Sequence, residues 1–192
     1  ENLTLEQSDN LQEELEKSTE INRKYLLSMM VNSSANESKL FAESVAVDQT
    51  LGFLYGKFCV AVIRLDGKVY YDSSQMEILL NRFLDYAEKH LIIRNGDFAC
   101  VKYNEELYFL LNYCDFKEVE TALNLLLDKA RVSLFSHCSI TIGISSEFYD
   151  IVSIEVQEAV LATQYRLVVG VDRIIHYANY SFPSDDYSVR ET

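Results

Sequence analysis

The carboxylates of Glu105 and Glu106 are adjacent in the polar trio Asn104-Glu105-Glu106, between two apolar segments. Paired carboxylates on a turn are the kind of oxygen donors that hold Mg²⁺. Such a pair is more commonly solvated surface, and no metal is expected at it. A second polar group follows the apolar run Phe58-Cys59-Val60-Ala61-Val62-Ile63, where Arg64-Leu65-Asp66 ends the segment. Arg64 can meet an anion there, or it can pair with Glu105 or Glu106 and make the turn purely structural. The three histidines, His90, His137 and His176, are scattered. In a strand the neighbours His137 and Cys138 point to opposite faces and cannot close on one ion. There is no Gly-x-Ser-x-Gly turn and no Gly-rich phosphate loop, so nothing in the sequence positions a nucleophile.

Net charge narrows the classes further. The chain carries 17 Lys plus Arg against 30 Asp plus Glu, a net charge of −13. Surfaces that track a phosphate backbone gather cations to displace counterions, so direct nucleic acid contact by these residues is not expected. The four cysteines, Cys59, Cys100, Cys114 and Cys138, form no Cys-x-x-Cys pair and lie mostly in apolar runs. They read as buried thiols of a reducing compartment. No apolar stretch is long enough to span a bilayer, and the first residues lack the basic and apolar regions of a signal peptide. A cytoplasmic protein with no membrane contact is the expectation, and the chain reads as part of a longer one.

Hydrophobic periodicity predicts the helices and strands that carry these groups. Residues 1–24 hold seven acids and no aromatic, and the lead has thin apolar spacing at Leu11, Leu15, Ile21 and, just beyond, Leu26. Ser18 and Asn22 stand at intervening positions. That narrow stripe predicts a helix with a coiled-coil-like seam. A second helix is expected over Glu37–Gln49, capped by Ser34 or Asn36. The Val- and Ile-rich run Phe58–Leu65 predicts a buried strand and Met76–His90 a helix. Phe98–Tyr103 and Leu107–Tyr113 read as a hairpin. A helix over Phe116–Phe135 presents Val119, Leu123, Leu126, Leu127 and Ala130 on one face. The alternating Ile residues of Ser139–Ser145 predict a strand, Ile154–Val169 a helix ended by Gly170, and Arg173–Tyr177 a last strand. The order β-α-β-β-α-β-α-β behind a helical lead implies an α/β (α+β) layer fold, a mostly antiparallel sheet flanked by helices. The divisions are residues 1–36 for a signalling and dimerisation helix, 37–180 for the folded domain and 181–192 for a tail or linker. Twenty-three Phe and Tyr, with Tyr70, Tyr71, Tyr103, Tyr108 and Tyr113 near the first strand and hairpin, fill the core and cross-strand pairs. An aromatic pocket or dimer face over the hairpin stays open as the alternative.

Particular residues in that order resemble the GGDEF fold of diguanylate cyclases. Ala159-Val160-Leu161-Ala162-Thr163-Gln164-Tyr165-Arg166, with Gly170 and Arg173-Ile174 after it, follows the family's final helix, terminal glycine and closing strand. Ser139-Ile140-Thr141-Ile142-Gly143-Ile144 resembles the strand before it. The resemblance implies that Arg64-Leu65-Asp66 stands where active cyclases carry the D-x-D that binds metal, so a cation replaces a metal carboxylate. Likewise Tyr103-Asn104-Glu105-Glu106-Leu107 stands in place of Gly-Gly-Asp-Glu-Phe, and Tyr103 and Asn104 lack the backbone freedom of the two glycines. A degenerate, non-catalytic domain without a cofactor is implied.

The helical lead Tyr25-Leu26-Leu27-Ser28-Met29-Met30-Val31-Asn32 and the Glu158–Arg166 segment are also similar to the central region of AraC-type transcription regulators. That resemblance implies a homodimer through the lead helix, an upstream sensor or receiver domain, and a downstream helix-turn-helix module that contacts DNA. The alternative is a residual enzyme or sensor that binds GTP or cyclic di-GMP through the altered site.

Overall fold

The structure is a computed structural model of the chain and describes residues 5–32, 52–67, 71–133, 135–149 and 154–180. In chain order its elements are α1 (Leu5–Asn32), β1 (Lys57–Gly67), α2 (Ser73–His90), β2 (Gly96–Tyr103) and β3 (Glu106–Tyr113). They continue as α3 (Phe116–Arg131), β4 (Cys138–Ile144), α4 (Ile154–Gln164), α5 (Arg166–Val169) and β5 (Ile174–His176). The strands form one sheet in the order β2-β3-β1-β4-β5, antiparallel except for the β4–β5 pair. This is the mixed α/β, mostly antiparallel architecture that the element order implies. The helix expected over Glu37–Gln49 and the tail 181–192 lie outside the described residues.

Alternation along β1 separates the core into two layers. Cys59, Ala61, Ile63 and Leu65 face one side, where Leu80, Phe83 and Ala87 of α2 and Val119, Leu123, Leu126, Leu127 and Ala130 of α3 cover them. Phe58, Val60 and Val62 face the other, under Leu26, Leu27 and Met30 of α1 and Val156 and Ala159 of α4. Local chemistry sets the ends of these helices. Asp72 Oδ1 accepts from the Gln75 amide at 2.8 Å while the Gln75 side chain accepts from the Asp72 amide at 3.1 Å, a capping box at the start of α2. Asp115 caps α3 through the Lys117 amide.

Three expectations change. The helix predicted over Phe116–Phe135 stops at Arg131, and Phe135 turns back into the core against Phe83 and Tyr86. The helix predicted over Ile154–Val169 breaks at Tyr165. Arg166 Nη1 takes the Thr163 carbonyl at 3.3 Å, an acceptor an unbroken helix would use for the amide four residues on. The third concerns the seam. Leu11, Leu15 and Ile21 are exposed, Leu15 to 68%, whereas Leu26 is 3% exposed and belongs to the domain's own core. Leu26 lies where α1 packs across β2 and β3, so burial inside the chain overrides its place in a seam read from spacing. The exposed stripe of α1 runs instead through Leu11, Leu15, Ser18, Asn22 and Tyr25, spaced four, three, four and three residues apart. Ile21 flanks it.

Candidate functional site

β1, β3 and the β2–β3 hairpin bring the expected site positions to one end of the sheet. The hairpin closes on two residues, Asn104 and Glu105, with Tyr103 opposite Glu106. Asn104 has φ 53°, the left-handed conformation that asparagine adopts more readily than most side chains. Glu106 is therefore not part of the turn. It opens β3 and lies opposite Arg64 of β1. The two neighbouring acids are thereby split: Glu105 is exposed at the tip, and Glu106 is turned inward.

Ion pairs join the inward groups into one chain. Arg64 Nη1 lies 3.2 Å from Glu106 Oε1, and Arg64 Nε lies 3.3 Å from Asp66 Oδ1. The other oxygen of each carboxylate is also occupied. The Tyr108 hydroxyl donates to Glu106 Oε2 at 2.9 Å, and Arg166 Nε lies 2.9 Å from Asp66 Oδ2. Burial works against the charge on Arg64, but Glu106 and then Asp66 outweigh it and hold its pKa above the ordinary arginine value. Burial, and then the charge of Glu106, pushes the Tyr108 phenol up. Beside this chain lies a cleft of about 680 Å³ between the hairpin and α2, lined by Arg64, Met76, Glu77, Lys102, Asn104 and Glu105 among others. Lys102 Nζ and Glu77 Oε1 pair across it at 2.8 Å, which lowers the Glu77 pKa.

A hard cation needs carboxylate oxygens free to coordinate it. Both oxygens of Asp66 and both of Glu106 already face guanidinium or phenol donors, so this donor set does not fit a divalent metal. Among the described residues no group of three or more His, Cys, Asp or Glu side chains is arranged to hold one. Among the described residues the cleft is lined by two cations, Arg64 and Lys102, and by three carboxylates, Glu77, Glu105 and Glu106.

Arg64, Asp66 and Glu106 thus come together as one network, while Tyr103, Asn104 and Glu105 form its exposed rim. Sequence reading missed the roles of Arg166 and Tyr108. Arg166 comes from α5, a hundred residues from Asp66, and only its place before Gly170 marks it in the sequence. The seam residues lie on α1, apart from this cleft. α1 itself is fastened by Arg23, whose guanidinium pairs with Asp97 of β2, donates to the Gly52 carbonyl at 2.8 Å and lies 4.2 Å from the centre of the Phe53 ring.

No protein-family profile and no curated protein matches this chain. Solved structures do. The chain is similar to the diguanylate cyclase SiaD of Pseudomonas aeruginosa, solved in complex with its activator SiaC, at 16% identity and a TM-score of 0.55. The match covers 80% of this chain and 57% of that one. A microbial GGDEF domain solved for its interaction with cyclic di-GMP matches at 14% identity and a TM-score of 0.46, over 72% of this chain and 88% of its own. An EAL/GGDEF domain protein from M. capsulatus matches at 16% identity and a TM-score of 0.48, over 73% and 94%. The chain has a GGDEF-like fold. No helix among the described residues is long and apolar enough to cross a membrane.

Proposed function

We propose that this chain is a non-catalytic regulatory domain of a bacterial transcription regulator of the AraC type, dimerising through α1. The observation that carries the loss of catalysis is the ion-paired chain Arg166-Asp66-Arg64-Glu106. Where the resemblance to cyclases calls for a carboxylate to hold a metal, Arg64 stands between two carboxylates and takes one oxygen of each, while Arg166 and the Tyr108 hydroxyl take the others. The exposed stripe Leu11-Leu15-Ser18-Asn22-Tyr25 supports the dimer. Its alternating spacing of four and three is that of a coiled-coil seam, and polar residues on such a seam set register at a cost in stability. A signal from an upstream sensor would shift that register and so reposition downstream helix-turn-helix modules, which would carry the DNA contacts this acidic domain lacks.

Calorimetry with GTP and Mg²⁺, and with cyclic di-GMP, is expected to give no binding. Micromolar binding that Arg64→Ala abolishes would favour a nucleotide sensor instead. Sedimentation velocity is expected to give a dimer for the chain and a monomer for a variant combining Leu11→Asp, Leu15→Asp and Tyr25→Asp. Two monomers would overturn the dimer. The full coding sequence tests the output: a helix-turn-helix segment is expected beyond residue 192, and its absence would remove the transcription assignment.

A further inference from the structure

The sheet has two outer strands of unequal kind. β5 is three residues long, whereas β2 has eight and contains the apolar run Phe98-Ala99-Cys100-Val101. Long apolar outer strands are templates for pairing with another strand unless something guards them. The phase of the β2–β3 ladder identifies which backbone groups of β2 face outward. The Cys114 amide donates to the Asn95 carbonyl at 3.1 Å, and bonded pairs alternate from there, so Asp97, Ala99, Val101 and Tyr103 are bonded to β3. The N–H and C=O groups of Phe98, Cys100 and Lys102 therefore point away from the sheet. Asp97 Oδ1 caps the Phe98 amide at 2.8 Å. No described residue bonds the backbone of Cys100 or Lys102 on that side.

This edge forms part of a groove of about 540 Å³, walled by Leu15, Glu16, Thr19 and Glu20 of α1 and by Glu88 of α2. The two helices lie on opposite faces of the sheet, α1 over Ala99 and α2 over Cys100. The ion pair of Lys24 on α1 with Glu88 on α2, at 3.0 Å, therefore passes around the outer side of β2. Lys24 also holds Glu20 at 2.8 Å. Lysine is a residue that guards sheet edges, and an ion pair with both ends this exposed contributes little stability, so it yields readily to a competitor.

We propose that the β2 edge is a docking groove for one extended peptide segment of a partner, basic and apolar in alternation, which adds as a sixth strand and displaces Lys24 from Glu88. Recessed walls admit a lone strand. A second copy of this chain carries its own β2 between the same two helices, and two such recessed edges cannot meet. Charge selects a basic segment, since Glu16, Glu20, Glu88 and Asp97 outnumber Arg23 and Lys24 in the groove. Backbone bonds at Cys100 and Lys102 supply affinity, and Thr19 and Phe98 of the groove lining meet the apolar side chains. The site is separate from the cleft beside Arg64 and does not rest on the function proposed for that cleft.

The probe is a synthetic peptide of alternating lysine and valine, titrated into the full chain with amide hydrogen exchange as the readout. Protection is expected to rise at Cys100 and Lys102. N-methylation of the peptide in the phase that faces β2 is expected to weaken binding at least about tenfold, the loss of roughly two hydrogen bonds, while the opposite phase has little effect. Lys24→Ala is expected to tighten binding several-fold, and an alternating glutamate and valine peptide is expected not to bind. No added protection at Cys100 and Lys102 would overturn the proposal. So would equal affinity for both methylated peptides, which indicates simple attraction to an acidic protein. Protection that grows with protein concentration alone would assign the edge to a second copy and overturn it as well.

Discussion

Arg166 Nε lies 2.9 Å from Asp66 Oδ2, an ion pair in which the arginine side chain is only 10% exposed. It ties the last helix to the end of the first strand, and Asp66 is shared with Arg64. One carboxylate thus compensates two guanidinium groups. Asp66→Leu should cost about 2 kcal/mol, less than the ~3–5 of a fully buried broken pair because Asp66 keeps some contact with water. Adding Arg166→Met should recover part of that loss, since an apolar pair leaves no uncompensated charge. Urea unfolding of both single variants and the double variant checks it, and a double loss equal to the sum of the two single losses would mean that the two side chains are not energetically coupled.

The two faces of α1 respond differently to truncation. Leu26→Ala removes a core side chain and should cost about 2–4 kcal/mol. Leu15→Ala removes an exposed one and should change the stability of a monomeric domain by less than about 0.5 kcal/mol. Thermal unfolding at low protein concentration separates the cases, and a large loss for Leu15→Ala there would place it in the core as well.

Gly143 lets α4 lie directly on β4. A Cβ at this position would come within 2.2 Å of Thr163 Oγ1, 2.3 Å of the Ala159 carbonyl and 2.4 Å of the Thr163 amide. Two of these are backbone atoms and cannot swing aside, so the helix must move. Gly143→Ala should therefore destabilise the domain by about 3 kcal/mol, at the upper end of ordinary overpacking. A chemical-denaturation midpoint equal to that of the parent chain would show that α4 shifts without cost.

Glu155 is buried near the start of α4, its Oε2 has no hydrogen-bond partner among the described residues, and burial pushes its carboxyl pKa up to about 7 from 4.5. A folded-state pKa above the unfolded one means that the native chain binds the proton more tightly. The contribution to stability is present below pH 4.5 and is lost as pH rises through 7. Glu155→Gln should remove this pH dependence and, at pH 8, stabilise the domain by about 2–3 kcal/mol relative to the parent. Melting temperatures of both proteins from pH 5 to 8 test it. Parallel curves would show that the carboxyl is ionised in the folded state.

Much of the fold is legible in the residue pattern because burial imposes the period. The alternation of Ile140, Ile142 and Ile144 and the helical spacing of Val119, Leu123, Leu126, Leu127 and Ala130 each correspond to a side that faces the core. The site is legible in its parts only. Arg64, Asp66 and Glu106 can be picked out as polar residues at element ends, and pairing of Arg64 with a hairpin acid is one of two options the sequence leaves open. Their partners Arg166 and Tyr108 have no local signal, because an ion pair over a hundred residues depends on how α5 returns to β1. The burial of Leu26 is hidden from the sequence for a related reason. A three-and-four spacing says that residues share a face, not whether that face meets the chain itself or a partner.

By itself the sequence determined the order of helices and strands and the two-sided core, because hydrophobic periodicity acts locally. Only the tertiary structure decided that Arg64 is enclosed by Asp66 and Glu106, that Leu26 belongs to the core and Leu11 and Leu15 do not, and that β2 is an outer strand guarded by Lys24. Those facts depend on which distant segments the sheet order brings together. Long-range pairing is set by the sum of packing over the whole sheet, and no short stretch of sequence carries it.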